Sequence, residues 1–194
     1  RRMIVAGDST YNVSKEIFKL CPDEVFCSRK TGYNLLTDNG KEQFAQECLN
    51  HNHILIVSAL DDFHIIKLYD MVYKMCVEHN HKPHIITIGS TIDRLGNGNG
   101  RLYSTEKKAL REHTINLNLH SSKVNGPKTT LLSFGMLENM KKKFPDRQCI
   151  SLELVGKYIK WILEQPSHIN INEINIDPMQ DMHWQENEID YKCI

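Results

Sequence analysis

The chain has 194 residues, the length of one domain with a full hydrophobic core. Its 24 Lys and Arg balance 24 Asp and Glu, so no net field draws it to nucleic acid or an acidic membrane surface. Hydrophobic residues make up 40%, and no apolar run nears the roughly 20 residues that span a bilayer, so a globular, non-membrane protein is expected.

Met3 to Ala6 reads as a buried strand entering the turn Gly7-Asp8-Ser9-Thr10. Val13 to Leu20 has helical spacing and is stopped by Pro22. Val25 to Cys27 is a second strand, ending in Ser28-Arg29-Lys30-Thr31-Gly32, and Leu35-Leu36 is predicted as a third, very short one. Gly40 to Leu49 is a predicted helix. Ile54 to Ala59 is continuous and β-branched, as in a parallel strand covered on both faces. Phe63 to Val77 is a helix with a wide apolar stripe. Ile85 to Ile88 is a strand ending at Gly89-Ser90, followed by a glycine-rich loop over 95–100 and a long helix from Leu102 to Leu119. Thr130 to Leu132 is a strand leading to Ser133-Phe134-Gly135. Leu152 to Leu163 is a helix, Ile169 to Ile176 the last strand, and 181–194 a C-terminal tail.

Strands alternating with helices call for a doubly wound parallel sheet in a three-layer α/β/α, Rossmann-like fold. Residues 1–180 are expected to form that single domain. Ligands in such sheets bind beyond the carboxyl ends of the strands. The 6 cysteines contain no C-x-x-C pair, which suits reduced thiols in a cytoplasmic protein.

The strongest chemical signal is Ser90, Tyr103 and Lys107. Tyr103 and Lys107 stand one helical turn apart and share a face, and Ser90 ends the preceding strand. A free phenol titrates near pH 10. Acid–base work near neutrality therefore needs a neighbouring ammonium that favours phenolate, while a serine hydroxyl can hold the same substrate oxygen.

These residues, with the strand–turn–helix pattern around them, resemble the short-chain dehydrogenase/reductase superfamily over about residues 3–179. The resemblance implies an oxidoreductase acting on a carbonyl or alcohol, with Ser90, Tyr103 and Lys107 catalytic and Lys107 also on the nicotinamide ribose. It places Gly7, Ser9, Thr10 and Asn12 on the pyrophosphate turn, Ser58 and Ala59 near the adenosine ribose, and Gly135 and Leu137 beside the nicotinamide. It also implies a homodimer or homotetramer built on the Tyr103 helix and the one before it. The segment from Ser28 to Asp38 resembles smaller members that replace the second helix by a loop.

Four positions depart from the family. Tyr11 and Val13 stand where the first turn normally has its second and third glycines. The helix-borne asparagine falls near Phe63 or His64, and neither is Asn. Phe134 replaces a proline. These departures support an alternative, a reductase-like protein that has lost catalysis and acts as a nucleotide-binding or interaction module. Ser28 and Arg29, with no carboxylate at the end of the second strand, suit a 2′-phosphate, so NADP is expected over NAD.

Other signals carry less. Gly7-Asp8-Ser9 also resembles the nucleophile block of GDSL-type esterases, which need an Asp-x-x-His; here the C-terminal stretch reads Asp181-Met182-His183, one residue short. His51, His53, His79, His81 and His84 are expected in solvated turns rather than on a metal, and His113 and His120 on the surface of the long helix. Lys141-Lys142-Lys143 has no interleaved aromatics and reads as a solvated face.

Overall fold

A computed structural model of the protein describes residues 3–94 and 102–179. The glycine-rich loop and the tail from 181 lie outside the described residues. The strands are β1 (Met3–Ala6), β2 (Val25–Cys27), β3 (His53–Ile56), β4 (His84–Ser90), β5 (Lys128–Phe134) and β6 (Glu173–Ile176). Between them run α1 (Asn12–Leu20), α2 (Asp38–Cys48), α3 (His64–Glu78), α4 (Leu102–Val124) and α5 (Leu152–Leu163).

The six strands form one sheet in the order β2-β1-β3-β4-β5-β6, and every pairing is parallel. Alternate side chains of each strand feed opposite faces. Ile4, Ile54, Ile56 and Ile85 meet a core built with α2, α3 and α4. Val5, Leu55, Ile86 and Leu132 meet a second core built with α1 and α5. The result is the three-layer, Rossmann-like α/β/α architecture that the alternating pattern predicts. Chain direction reverses between β1 and β3, the switch point where the carboxyl ends of an open parallel sheet leave a crevice.

The predicted strand at Leu35-Leu36 does not form. Leu35 is buried in the α2–α3 core, Leu36 is exposed, and Thr37 already turns the chain into α2, its hydroxyl accepting the Gly40 N–H at 3.1 Å. Two leucines in sequence therefore mark one core anchor and one solvent-facing residue ahead of a helix cap. Between β2 and α2 the regular structure is a single 3-10 turn, Arg29–Thr31, so this short segment holds neither helix nor strand of normal length.

The histidines are also placed differently from the solvated-turn expectation. His51 and His84 are buried. His81 Nε2 lies 2.7 Å from the His51 carbonyl, which fastens the two turns that precede β3 and β4. His113 Nε2 sits 3.4 Å from Asp70, and His120 Nδ1 sits 2.9 Å from the Tyr73 hydroxyl, so both bind α4 to α3 rather than lying free on the surface.

His84 fixes a pH dependence. Thr130 donates its one hydroxyl proton to the Ile171 carbonyl at 2.6 Å, so at 2.7 Å its oxygen must accept from His84 Nε2–H. Burial, with Lys128 and His53 nearby, pushes the imidazole down to about 3 from its ordinary 6.5. The unfolded chain takes up the proton first, so this stabilisation is complete above pH 6.5 and is lost as the pH falls toward about 3. Chemical denaturation across that window should show a His84→Gln variant losing stability less steeply than the parent, by about 1 kcal/mol per pH unit. Parallel slopes would refute the assignment.

Candidate active site

At the end of β1 the chain turns through Gly7 to Thr10 into α1. A Cβ on Gly7 would lie 2.0 Å from Ser14 Oγ and 3.1 Å from Val57 Cγ2, so α1 sits closer to the strand end than any side chain permits. Asp8 Oδ1 accepts the Thr10 N–H at 2.9 Å and the Thr10 hydroxyl at 2.7 Å, closing the turn. Tyr11 caps α1 with an extended backbone and is 67% exposed, so its ring projects into solvent instead of packing into the turn. Asn12 has φ 51°, a left-handed conformation asparagine tolerates, and its Oδ1 is buried with no partner. Val13 is buried beside Met3 and Ile17 in the α1–α5 core.

The turn after β2 faces the turn after β1, because the two strands pair directly. Ser28 precedes the 3-10 turn and its N–H donates to Thr31 Oγ1 at 2.8 Å. Arg29 and Lys30 are exposed beside it. At the end of β3, the Ser58 hydroxyl donates to the Ala6 carbonyl at 2.7 Å, which ties the β1 and β3 turns together; Ala59 is exposed. At the end of β5, Gly135 donates its N–H to Ile176 at 2.8 Å, and Leu137 bridges to Ile150.

Ser90 ends β4 and Tyr103 opens α4. Ser90 Oγ accepts the Ile92 N–H at 3.4 Å, which leaves its own proton free to be donated, and the hydroxyl acts on the Tyr103 phenol so as to favour ionisation. One turn along α4, Lys107 Nζ stands 5.5 Å from the centre of the Tyr103 ring and donates to the Ile88 carbonyl at 3.5 Å. The three side chains converge at the carboxyl end of β4.

Their electrostatics differ from the sequence expectation. The Tyr103 phenol is pushed above its ordinary value, first by burial and then by the carboxylates of Asp61 and Glu106, with the Ser90 hydroxyl opposing. Burial lowers the Lys107 ammonium, while Glu106, Asp61 and Asp93 act to keep it charged. A phenol with a raised pKa stays protonated at neutral pH, which suits a proton donor better than a base.

Sequence patterning misses Glu106. Its carboxylate is buried, and Oε1 accepts the Phe63 N–H at 3.0 Å, capping α3 where no residue of that helix does so. Asp62 and Phe63 both adopt left-handed backbone there, with φ 56° and 61°. The available signal is spacing: Glu106 lies on one stripe with Leu110, Thr114 and Leu117, all buried. His64 opens α3, and its Nδ1 is buried without a partner.

A concavity of about 640 Å³ lies elsewhere, at the amino-terminal edge of the sheet, among Ile115, Asn118, Leu119, Asn170 and Asn172. Its asparagines bond one another: Asn170 Nδ2 donates to Asn118 Oδ1 at 3.1 Å and to Asn172 Oδ1 at 2.8 Å. Among the described residues no cluster of metal-ligating side chains occurs. Asp181 and His183, which the esterase reading needs, lie outside the described residues. No helix of the described residues is long and apolar enough to cross a membrane.

A parallel sheet with its switch point beside β1 defines a Rossmann-like α/β protein, and a serine, a tyrosine and a lysine gather at the end of β4. No family model matches the sequence. The chain is 28% identical over 116 residues to the NADP-dependent 3-hydroxy acid dehydrogenase YdfG of Escherichia coli and of Salmonella typhimurium. That match covers 53% of the chain, and the chain spans about half the length (46%) of these relatives. In three dimensions it resembles a short-chain dehydrogenase from Burkholderia cenocepacia in complex with NADP, with a TM-score of 0.73 at 11% identity over 98% of this chain and 93% of that one. It also resembles the closed form of serine dehydrogenase complexed with NADP+, with a TM-score of 0.68 at 15% identity over 89% and 93% of the two chains. These likenesses show a Rossmann-like fold shared with short-chain dehydrogenases and a partial sequence similarity to one of them.

Proposed function

We propose that the protein is an NADP(H)-dependent oxidoreductase that interconverts a carbonyl and an alcohol. The observation that carries this reading is the gathering of Ser90, Tyr103 and Lys107 at the carboxyl end of β4, with Lys107 Nζ 5.5 Å from the centre of the Tyr103 ring. When bound, the nicotinamide supplies or accepts the hydride. Tyr103 donates its phenolic proton to the substrate oxygen in reduction, Ser90 orients that oxygen, and Lys107 holds positive charge beneath the ring and binds the nicotinamide ribose. Gly7, Ser9, Thr10 and Asn12 line the pyrophosphate turn; Ser28 and Arg29 face the adenosine phosphate, Ser58 and Ala59 the adjacent ribose, and Gly135 and Leu137 the nicotinamide. The Gly7 turn, where a Cβ would collide with Ser14, and the exposed Arg29 and Lys30 are the features that fit a dinucleotide phosphate.

Residues 1–180 act as one dinucleotide-binding domain in this reading, supported by the single sheet. A cytoplasmic setting suits the buried free thiols of Cys27, Cys48 and Cys76. Assembly as a homodimer or homotetramer through α3 and α4 suits the exposed Ile115 and Leu119 on α4. Tyr11 and Val13 in place of glycine support the second reading, a member that binds nucleotide without turnover.

Fluorescence titration with NADPH and NADH, followed by a screen of 3-oxo acids and other carbonyls, tests the proposal. The 3-oxo acids come first because of the substrate class in the name of YdfG. Micromolar NADPH binding, tighter than NADH, with carbonyl-dependent oxidation of NADPH is expected. Binding without turnover of any carbonyl favours the second reading, and equal or tighter NADH removes the cofactor preference. If neither dinucleotide binds, the enzymatic reading falls and the interaction-module form of the second reading stands.

A further inference from the structure

The turns after β1 and β2 are joined by three side chains that form a closed set. Asp8 Oδ2 lies 2.7 Å from Lys30 Nζ, and Lys30 Nζ donates to Thr10 Oγ1 at 3.0 Å. Thr10 in turn donates its hydroxyl and its backbone N–H to Asp8 Oδ1. A carboxylate thus occupies donors of the kind a phosphate would seek at this edge: an ammonium, a hydroxyl and a turn N–H. The side chains of Lys30 and Asp8 remain 67% and 27% exposed, so a solute can reach them without opening the core. The Asp8 carboxyl is held down to about 2 by Lys30 and Thr10, so it is a full anion at any working pH.

We propose that Asp8 is a built-in competitor for the adenosine 2′-phosphate of the cofactor, and that Lys30 is the cation for which the two compete. The proposal rests on the dinucleotide reading above. On binding, the phosphate takes Lys30, and the carboxylate must give up that ion pair and swing away or accept repulsion from the phosphate. Asp8 therefore weakens the phosphorylated dinucleotide selectively, and Lys30 supplies discrimination that Arg29 and Ser28 do not carry alone. NADH lacks the 2′-phosphate and is indifferent to the exchange. An amide at position 8 keeps an oxygen for the Thr10 N–H but removes the charge, so it tests the competition while preserving the turn.

The experiment is fluorescence titration of the full chain with NADPH and with NADH, for the parent, Asp8→Asn, Lys30→Met and the double variant. Asp8→Asn is expected to tighten NADPH about fivefold and leave NADH within about twofold. Lys30→Met is expected to weaken NADPH about fivefold, again sparing NADH, and in the double variant the gain from Asp8→Asn should vanish. The inference is overturned if Asp8→Asn leaves NADPH binding unchanged or weaker, if it tightens both dinucleotides equally, or if its gain survives the loss of Lys30. If the parent and every variant bind neither dinucleotide, the dinucleotide reading itself fails, an outcome distinct from these three. Circular dichroism melting confirms that each variant is folded at the titration temperature.

Discussion

A Tyr103→Phe variant should lose about 10³-fold in kcat for carbonyl reduction while its NADPH affinity stays within about twofold. Only the phenolic oxygen is removed. The ring that Lys107 approaches at 5.5 Å remains, so the cation–π contact survives. The residue is 45% exposed, so the fold should lose no more than about 1 kcal/mol. The raised phenol pKa sets the sign of the pH dependence. Because burial and the carboxylates of Asp61 and Glu106 favour the protonated form, reduction should hold its rate through neutral pH and decline only as the phenol ionises above its ordinary value of 10.0. Oxidation of an alcohol, which needs the phenolate, should rise over that same alkaline range. A Phe variant that retains more than a tenth of the parent's turnover would show that another group delivers the proton, and His64, whose Nδ1 is buried and unpartnered at the start of α3, would be the first to examine.

Gly40→Ala should destabilise the fold by about 3 kcal/mol. The usual expectation has the opposite sign, since alanine in place of a helical glycine stabilises by about 1 kcal/mol. Gly40 lies in the first turn of α2, where a Cβ would fall 2.0 Å from the Asn34 carbonyl oxygen and 2.5 Å from its carbon. That carbonyl is not free to retreat. It accepts both the Thr37 N–H at 3.0 Å and the Thr37 hydroxyl at 2.9 Å. Thr37 in turn caps α2, so the collision spreads into the helix start and into the Leu35 anchor beside it. For a chain of this size the loss corresponds to roughly 6–12 °C in Tm, measured by calorimetry. An unchanged or higher Tm would mean that the segment between β2 and α2 yields easily and does not depend on this close approach.

What the sequence conveyed, and what it hid, follows from how each residue is used. The runs at Met3–Ala6, Ile54–Ile56, Ile85–Ile88 and Thr130–Leu132 are strands because parallel strands buried on both faces must be apolar throughout, and that signal is local. The placement of Ser90 at a strand end and of Tyr103 and Lys107 on one helical face was legible from their spacing together with the strand–turn–helix pattern around them. Leu35-Leu36 misled because an apolar pair does not say whether both side chains point inward. Glu106 was hidden because a glutamate is ordinarily a surface residue, and its burial depends on an unsatisfied N–H at Phe63, 43 positions away. The Asp8–Lys30 pair was hidden for a related reason: it joins two turns brought together only by the pairing of β1 with β2. Long-range polar contacts leave no periodic trace in a sequence.

The Glu106 cap has a mechanical consequence. The carboxylate that precedes Lys107 on α4 grips the backbone at the first turn of α3, and that turn follows the loop carrying Asp61. The two helices are thereby riveted together at a single point, right beside Lys107. A displacement of either helix must drag the other, so the distance between Lys107 and the Asp61 carboxylate, and with it the charge balance around the phenol, is buffered against breathing of the surrounding layers.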